Sequence, residues 1–283
     1  MAVSTRLKEL ANAALRPIGL KVESLTRDRA EARRLAGFEQ RTGFDAPIYP
    51  LSPGMAEFDA APLAEGCARH REALAALKDP ARNRTGYRPG NGYFETPDAD
   101  MLYLMVRRFA PGRVIEVGCG SSTRVTRQAV IDGGLSTRIV AIDPQPRLDI
   151  AGLVDGFYQS RVEELEPGVF AELGPGDILF IDSSHEVRAG SDVAFLFCRV
   201  LPMLAPGVIV HVHDIFLPYE YARPFFFGQP TWGEQYLLHA LLVGGGYEIL
   251  WSGHYLQRTR PGLVAELPFL AEGAAQSFWM RKL

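Results

Sequence analysis

Val114-Ile115-Glu116-Val117-Gly118-Cys119-Gly120-Ser121-Ser122 is a short apolar run that breaks into a glycine turn, and a lone acid, Asp143, closes the next apolar run at Ile139-Val140-Ala141-Ile142. In a doubly wound sheet this pairing holds an adenosine-bearing cofactor. Backbone approaches the ligand at the glycines, and the second strand presents a carboxylate to the ribose hydroxyls. The order of the glycines selects the cofactor. A dinucleotide fingerprint places a third glycine three residues after the second, where a pyrophosphate rests on the helix N-terminus. That place holds Thr123, and the turn carries an acid at Glu116. An acidic turn suits a cationic ligand, so the expected cofactor is S-adenosylmethionine. Glu116, Gly118, Gly120 and Ser121 are expected along its methionine half and Asp143 on its ribose.

Working outward, residues 91 to about 214 alternate short β-branched runs with helical stretches, the pattern of βαβ units on a parallel sheet. Thr96-Pro97-Asp98 has the chemistry of a helix start, and Pro111-Gly112 ends that helix. Strands are expected at 113–117, 138–143, 157–162, 177–182 and 208–213. A helix capped at Ser191-Asp192 should reach Leu204. Beyond residue 214 come an aromatic loop to about residue 231, a helix from Trp232 to Val243, and two closing strands at 247–251 and 277–281. If the third strand ends at Val162, then Val162 and Glu163 flank the adenine. The fold class is α/β. Five parallel strands and a terminal antiparallel pair would make seven strands with helices on both faces. A nicotinamide-binding domain would offer a sixth parallel strand instead.

Residues 1–90 look different, helical and then loopy, with prolines at 47, 50, 53 and 62. They are expected to form a helical N-terminal extension contacting substrate or another subunit, with the cofactor-binding domain spanning 91–283. Residues 1–43 hold nine Lys/Arg against five Asp/Glu. Val3, Leu7, Leu10, Ala11, Ala14 and Leu15 recur at helical spacing, which gives an amphipathic helix. Its mixed charges favour packing on its own domain or on a dimer mate over a membrane surface.

Bulk composition narrows the function. The chain has 283 residues, 47% hydrophobic and 22% charged, with a net charge of −3. Nothing in that balance favours nucleic acid. Cys67, Cys119 and Cys198 are scattered without a CxxC spacing, so neither a disulfide framework nor a cysteine zinc site is expected, and reduced thiols in a cytoplasm fit. No apolar run approaches the roughly 18 residues of a membrane span.

From Asn91 to Leu283 the chain resembles class I S-adenosylmethionine-dependent methyltransferases. The nearest likeness is to a bacterial small-molecule O-methyltransferase group with a strand-end IDxxH and a later strand-end HD. Here these are Ile181-Asp182-Ser183-Ser184-His185 and His213-Asp214. Asn91-Gly92-Tyr93-Phe94 and Ser277-Phe278-Trp279 are also similar. The resemblance implies methylation of a small-molecule or sugar hydroxyl. It also implies a divalent metal, Mg²⁺ or Mn²⁺, held by Asp182, His213 and Asp214. The chain departs from the pattern with His213 where an acid is usual and with Ser184 where a further acid often sits.

The ligand crevice of an open α/β sheet lies beyond the carboxyl ends of its strands. Asp182, His185, His213 and Asp214 therefore converge if the fourth and fifth strands are neighbours. Two routes for the acceptor proton stay open. His185, supported by Asp182 and His213, can act as base; or the metal can acidify the hydroxyl. Asp182 also faces the cofactor, and His211 is expected to be a core residue. The aromatic loop is either a lid over the acceptor or a hydrophobic seat, with Trp232, Glu234 and Gln235 as further substrate-wall candidates. Three rival readings remain. A nicotinamide oxidoreductase lacks its third glycine, and a methyltransferase-like scaffold would have lost the strand-end acids. Nucleic-acid methylation lacks both the charge and an Asn/Asp-Pro-Pro-aromatic motif after the fourth strand.

Overall fold

The computed structural model describes residues 2–229 and 231–283, with the side chains of 2–6 excepted. Pro230 of the aromatic loop, and the side chains of Val3 and Arg6 in the first helix, lie outside the described residues. The chain divides into two units, 1–46 and 47–283. The expected boundary near residue 90 is therefore moved to 46/47. The reason is burial: Leu63, Cys67, Leu74 and Leu77 belong to the same hydrophobic cluster as the sheet. At the start of the second unit the proline-rich stretch runs into two short helices, α3 (Ala61–Arg69) and α4 (Arg71–Leu77).

The first unit holds α1 (Ala2–Leu15) and α2 (Thr26–Thr42). The helix expected from the apolar spacing is present, but Leu7 and Leu10 of its stripe are 64% and 70% exposed.

In the second unit seven strands form one sheet: β1 (Arg113–Val117), β2 (Arg138–Ile142), β3 (Gly156–Tyr158), β4 (Ile178–Ile181), β5 (Ile209–Val212), β6 (Tyr247–Ser252) and β7 (Phe278–Lys282). Their order is β3-β2-β1-β4-β5-β7-β6. The first five run parallel, and β7 is inserted antiparallel between β5 and β6. This is the expected α/β sheet.

Period-two alternation divides the strand residues between two cores. Val114, Ile139, Ile178, Phe180 and Ile209 face a layer with α5 (Asp98–Phe109) and α6 (Ser121–Gly133). Ile115, Val117, Val140, Ile142, Leu179, Ile181, Val210 and Val212 face the other. That second layer includes α7 (Asp192–Phe195) and the π-helical turn Leu196–Val200 that continues it. Beyond them lie α8 (Leu201–Met203), α9 (Arg223–Gly228), α10 (Glu234–Val243) and α11 (Gly253–Thr259). Each fully buried Ile, Leu or Phe contributes about 1.5–3 kcal/mol, so both faces of the central strands stabilise the sheet.

The third strand is shorter than expected. It ends at Tyr158, and Val162 and Glu163 lie in a 3-10 turn, Val162–Glu164. Among the described residues no helix is long and apolar enough to cross a membrane.

Candidate active site

β4 and β5 pair directly, with Ile181 opposite Val212. The residues that follow them, Asp182 and His213, therefore leave the sheet side by side. The Asp182 N–H donates to the Val117 carbonyl at 2.9 Å, and the His213 N–H to Ile181 at 3.0 Å. Both bonds extend the ladder by one residue and aim the side chains past the strand ends. Two residues next to them, His185 and Asp214, adopt left-handed backbone at φ 60° and φ 55°. Non-glycine residues in that region cost about 1–3 kcal/mol and gather at functional sites.

A groove of about 1330 Å³ opens over these ends. Its floor at one end is the glycine turn with Ser121, Asp143, Val162 and Glu163; at the other end stand Asp182, His185, His213 and Asp214, walled by Phe225 and Trp232. Of the residues expected along the cofactor, all but Glu116 line this groove. Glu116 is 1% exposed and lies behind the turn, where the Ser122 hydroxyl donates to its Oε1 at 2.5 Å. Burial pushes its carboxyl up to about 8. Period two explains the correction: on β1, Glu116 shares the face of Val114, toward α5 and α6.

Asp143 braces the turn with both oxygens. Oδ2 accepts the Cys119 N–H at 3.1 Å, and Oδ1 the Gln145 N–H at 2.7 Å. Gly118, at φ 79°, is required for a second reason besides ligand approach, because a Cβ there would lie 1.9 Å from the Asp182 carbonyl oxygen.

The acid–histidine cluster is tightly interlocked. His185 Nδ1 lies 2.7 Å from Glu234 Oε2, while its Nε2 lies 3.5 Å from Asp182 Oδ1 and 3.4 Å from Asp214 Oδ2. His213 Nε2 lies 3.3 Å from Asp98 Oδ2, and its Nδ1 3.7 Å from both Asp182 and Asp214. Asp98 also accepts the backbone N–H groups of Gln276 and Ser277, each at 3.0 Å. The expected metal set was Asp182, His213 and Asp214. The group whose ligand atoms lie within 4.8 Å of one another is instead Asp182, His185 and Asp214. His213 is not in that group, although its Nδ1 also faces Asp182 and Asp214.

Burial opposes a charged imidazole, yet hydrogen bonds with Asp182 and Glu234, and the charges of Glu234 and Asp214, push His185 up to about 10. Burial likewise opposes a charged His213, but Asp214 and Asp182 raise it well above the ordinary value. For Asp182, burial is outweighed by the His213 charge and by hydrogen bonds from both rings, which hold it well below the usual range. Burial raises Asp214 and Glu234. His211 is a core residue, as expected, lowered first by burial and then by the His213 charge. It stacks on Phe180 at 4.1 Å, and neither ring nitrogen has a hydrogen-bond partner among the described residues.

Four carboxyl groups, Asp98, Asp182, Asp214 and Glu234, thus surround two imidazoles. With all four carboxyl groups ionised, two protonated rings leave the cluster short of positive charge. A buried deficit of that kind fits a divalent cation.

Residues 115–215 match a family model described as a methyltransferase domain. The matched segment runs from within β1 to just beyond β5. No curated protein matches the chain. Among solved structures, the chain is similar to an SAH-bound methyltransferase from Podospora anserina, at 12% identity over 93% of this chain and 99% of that one, with a TM-score of 0.43. It is similar to an O-methyltransferase from Bacillus cereus in complex with SAH, at 13% identity over 77% and 90%, TM-score 0.40. A methyltransferase of the mycinamycin biosynthetic pathway, in complex with Mg, SAH and mycinamycin VI, is 17% identical over 74% and 54%, TM-score 0.40.

Sequence reasoning did not single out Asp98. Its place as an early acid of α5 hid the fact that its partners arrive from the end of β5 and from the two residues before β7. Glu234 was foreseen only as a substrate wall. It is fully buried and faces His185.

Proposed function

We propose that the chain transfers a methyl group from S-adenosylmethionine to a hydroxyl of a small molecule or sugar. The observation that carries this reading is the single groove joining the glycine turn and Asp143 to the acid–histidine cluster at the ends of β4 and β5. Asp143, Val162, Glu163, Gly118, Gly120, Ser121 and Asp182 all line it. In this reading Asp143 binds the ribose hydroxyls, Val162 and Glu163 flank the adenine, Gly118, Gly120 and Ser121 hold the methionine half, and Asp182 lies between cofactor and acceptor. When bound, the cofactor supplies a methyl already activated by a sulfonium.

The cluster favours the metal-assisted route. Asp182, His185 and Asp214 would hold Mg²⁺ or Mn²⁺, and the presence of an imidazole tilts the preference toward Mn²⁺. The bound ion supplies a positive charge that makes an adjacent hydroxyl more acidic. Without that ion the surrounding acids keep both imidazoles charged, and a charged imidazole is no base. In this arrangement His213 takes the acceptor proton. Asp98 fixes its Nε2 and leaves Nδ1 toward the groove, which is the orienting role an acid plays beside a catalytic histidine. Phe225 and Trp232, stacked at 5.1 Å and 16°, wall the acceptor side and exclude water.

The test is transfer of a labelled methyl group from S-adenosylmethionine to a panel of hydroxylated aromatic compounds and sugars, with and without EDTA. The reading expects product that EDTA abolishes and Mn²⁺ or Mg²⁺ restores. Product indifferent to EDTA would contradict the metal-assisted route. A folded protein that binds no cofactor and methylates nothing would favour the scaffold reading.

A further inference from the structure

His185 is held by three consecutive residues from the end of the aromatic segment. The Gly233 N–H donates to the His185 carbonyl at 2.9 Å. The Trp232 ring lies 4.3 Å from the imidazole. Glu234 Oε2 lies 2.7 Å from Nδ1. The clamp is buttressed next door, where Glu186 forms an isolated bridge with Trp232 and accepts the Thr231 hydroxyl at 2.7 Å. Held this way, His185 keeps a left-handed backbone that its own side chain disfavours.

Glu234 is the unusual member. It is the first residue of α10 and has no exposed surface, and its other oxygen, Oε1, has no hydrogen-bond partner among the described residues. It caps nothing, and its side-chain hydrogen bond goes to His185. Burying a carboxylate is costly unless a cation or a strong donor faces it. A glutamine would offer the same acceptor atom without the charge.

We propose that Glu234 is a positioning residue for the metal site, holding the proton of His185 on Nδ1 so that the Nε2 lone pair faces Asp182 and Asp214. The inference rests on the metal reading above. Imidazole binds a metal through one nitrogen only when the other carries the proton, and a carboxylate accepting that proton fixes the ring and strengthens its donor atom. Because the clamp also contains Trp232, the acceptor wall and the metal site share one support. Metal affinity therefore depends on a residue that touches neither cofactor nor metal.

The experiment is Mn²⁺ titration of the full chain, with free Mn²⁺ read by electron paramagnetic resonance and SAH affinity measured alongside as the check on folding. Four variants are compared with the unaltered protein: Asp182→Asn, Glu234→Ala, Glu234→Leu and Glu234→Gln. The expected result is one Mn²⁺ site that Asp182→Asn abolishes. Glu234→Ala and Glu234→Leu should bind roughly 10- to 100-fold more weakly, with unchanged SAH affinity. Glu234→Gln should recover most of the loss, since its amide oxygen still accepts the Nδ1 proton. Leucine preserves the volume that alanine removes, so it decides the matter if Glu234→Ala fails to fold. Unaltered affinity in Glu234→Leu, or a glutamine variant as weak as leucine, overturns the proposal and leaves the metal reading standing. No Mn²⁺ uptake by the unaltered protein, with SAH still bound, overturns the metal reading and the role of Glu234 together.

Discussion

Gly118 shows how one residue serves two constraints. The sequence reading kept it glycine for the ligand's sake, but its own structure already forbids a side chain there, since the Asp182 carbonyl oxygen would lie 1.9 Å from a Cβ and φ is +79°. Gly92, at φ +75° with nothing within 4 Å, separates the two effects. Gly92→Ala should cost only the backbone term, about 1–2 kcal/mol. Gly118→Ala should cost about 3–5 kcal/mol, the range of a core clash. Urea unfolding of the two variants checks the contrast, and equal losses would show that the close approach does not matter. Asp143, Asp182 and His213 line the groove the motifs pointed to. Glu116 does not, because side-chain direction depends on strand face, which the motif alone does not give.

Among the elements, those with a strong period were readable. β1, β2, β4 and β5 lie within a residue or two of expectation because apolar runs bounded by glycine and proline leave few alternatives. β3 was overextended: at the sheet edge Phe157 and Tyr158 are partly exposed, so little burial fixes its length. The helix expected from Ser191 to Leu204 is interrupted by the π-helical turn, and α11 was not foreseen, since Gly253 at its start argues against helix. The helix start at α5 was recognised for the wrong reason. Pro97 occupies the capping position, and the Thr96 hydroxyl bonds Asp100 rather than backbone. Asp98 instead ties α5 to the entry of β7 and to His213. Asp98→Ala should therefore lower stability by about 3 kcal/mol, through two unpaired buried N–H groups. It should also slow methyl transfer more than it weakens cofactor binding. A variant with normal kcat would remove Asp98 and His213 from the proton path.

At the scale of the molecule, the acid–histidine cluster sets the pH behaviour of the metal-free protein. His185 is raised from an ordinary 6.5 to about 10, so its contribution is complete below about pH 6.5 and is lost as pH rises through 10. The raised Asp214 and Glu234 act in the same direction, favouring lower pH. Asp182, held low, loses its contribution only in strong acid. In EDTA the thermal midpoint should fall steadily between pH 6.5 and 10, and Mn²⁺ should raise it most on the alkaline side. A midpoint that climbs over that window would contradict the charge balance derived for the cluster. Within the second unit the sheet was legible because its core is periodic, whereas residues 47–60 carry no period and find their place only against that core.

The central claim is that the groove over the glycine turn is an S-adenosylmethionine site. Calorimetric titration of the full chain with S-adenosylhomocysteine tests it most directly. One site of micromolar affinity is predicted, weakened about 10- to 100-fold in Asp143→Ala by the loss of charge-assisted hydrogen bonds. A folded protein that shows no binding, or an Asp143→Ala variant that binds as tightly as the unaltered chain, would contradict it.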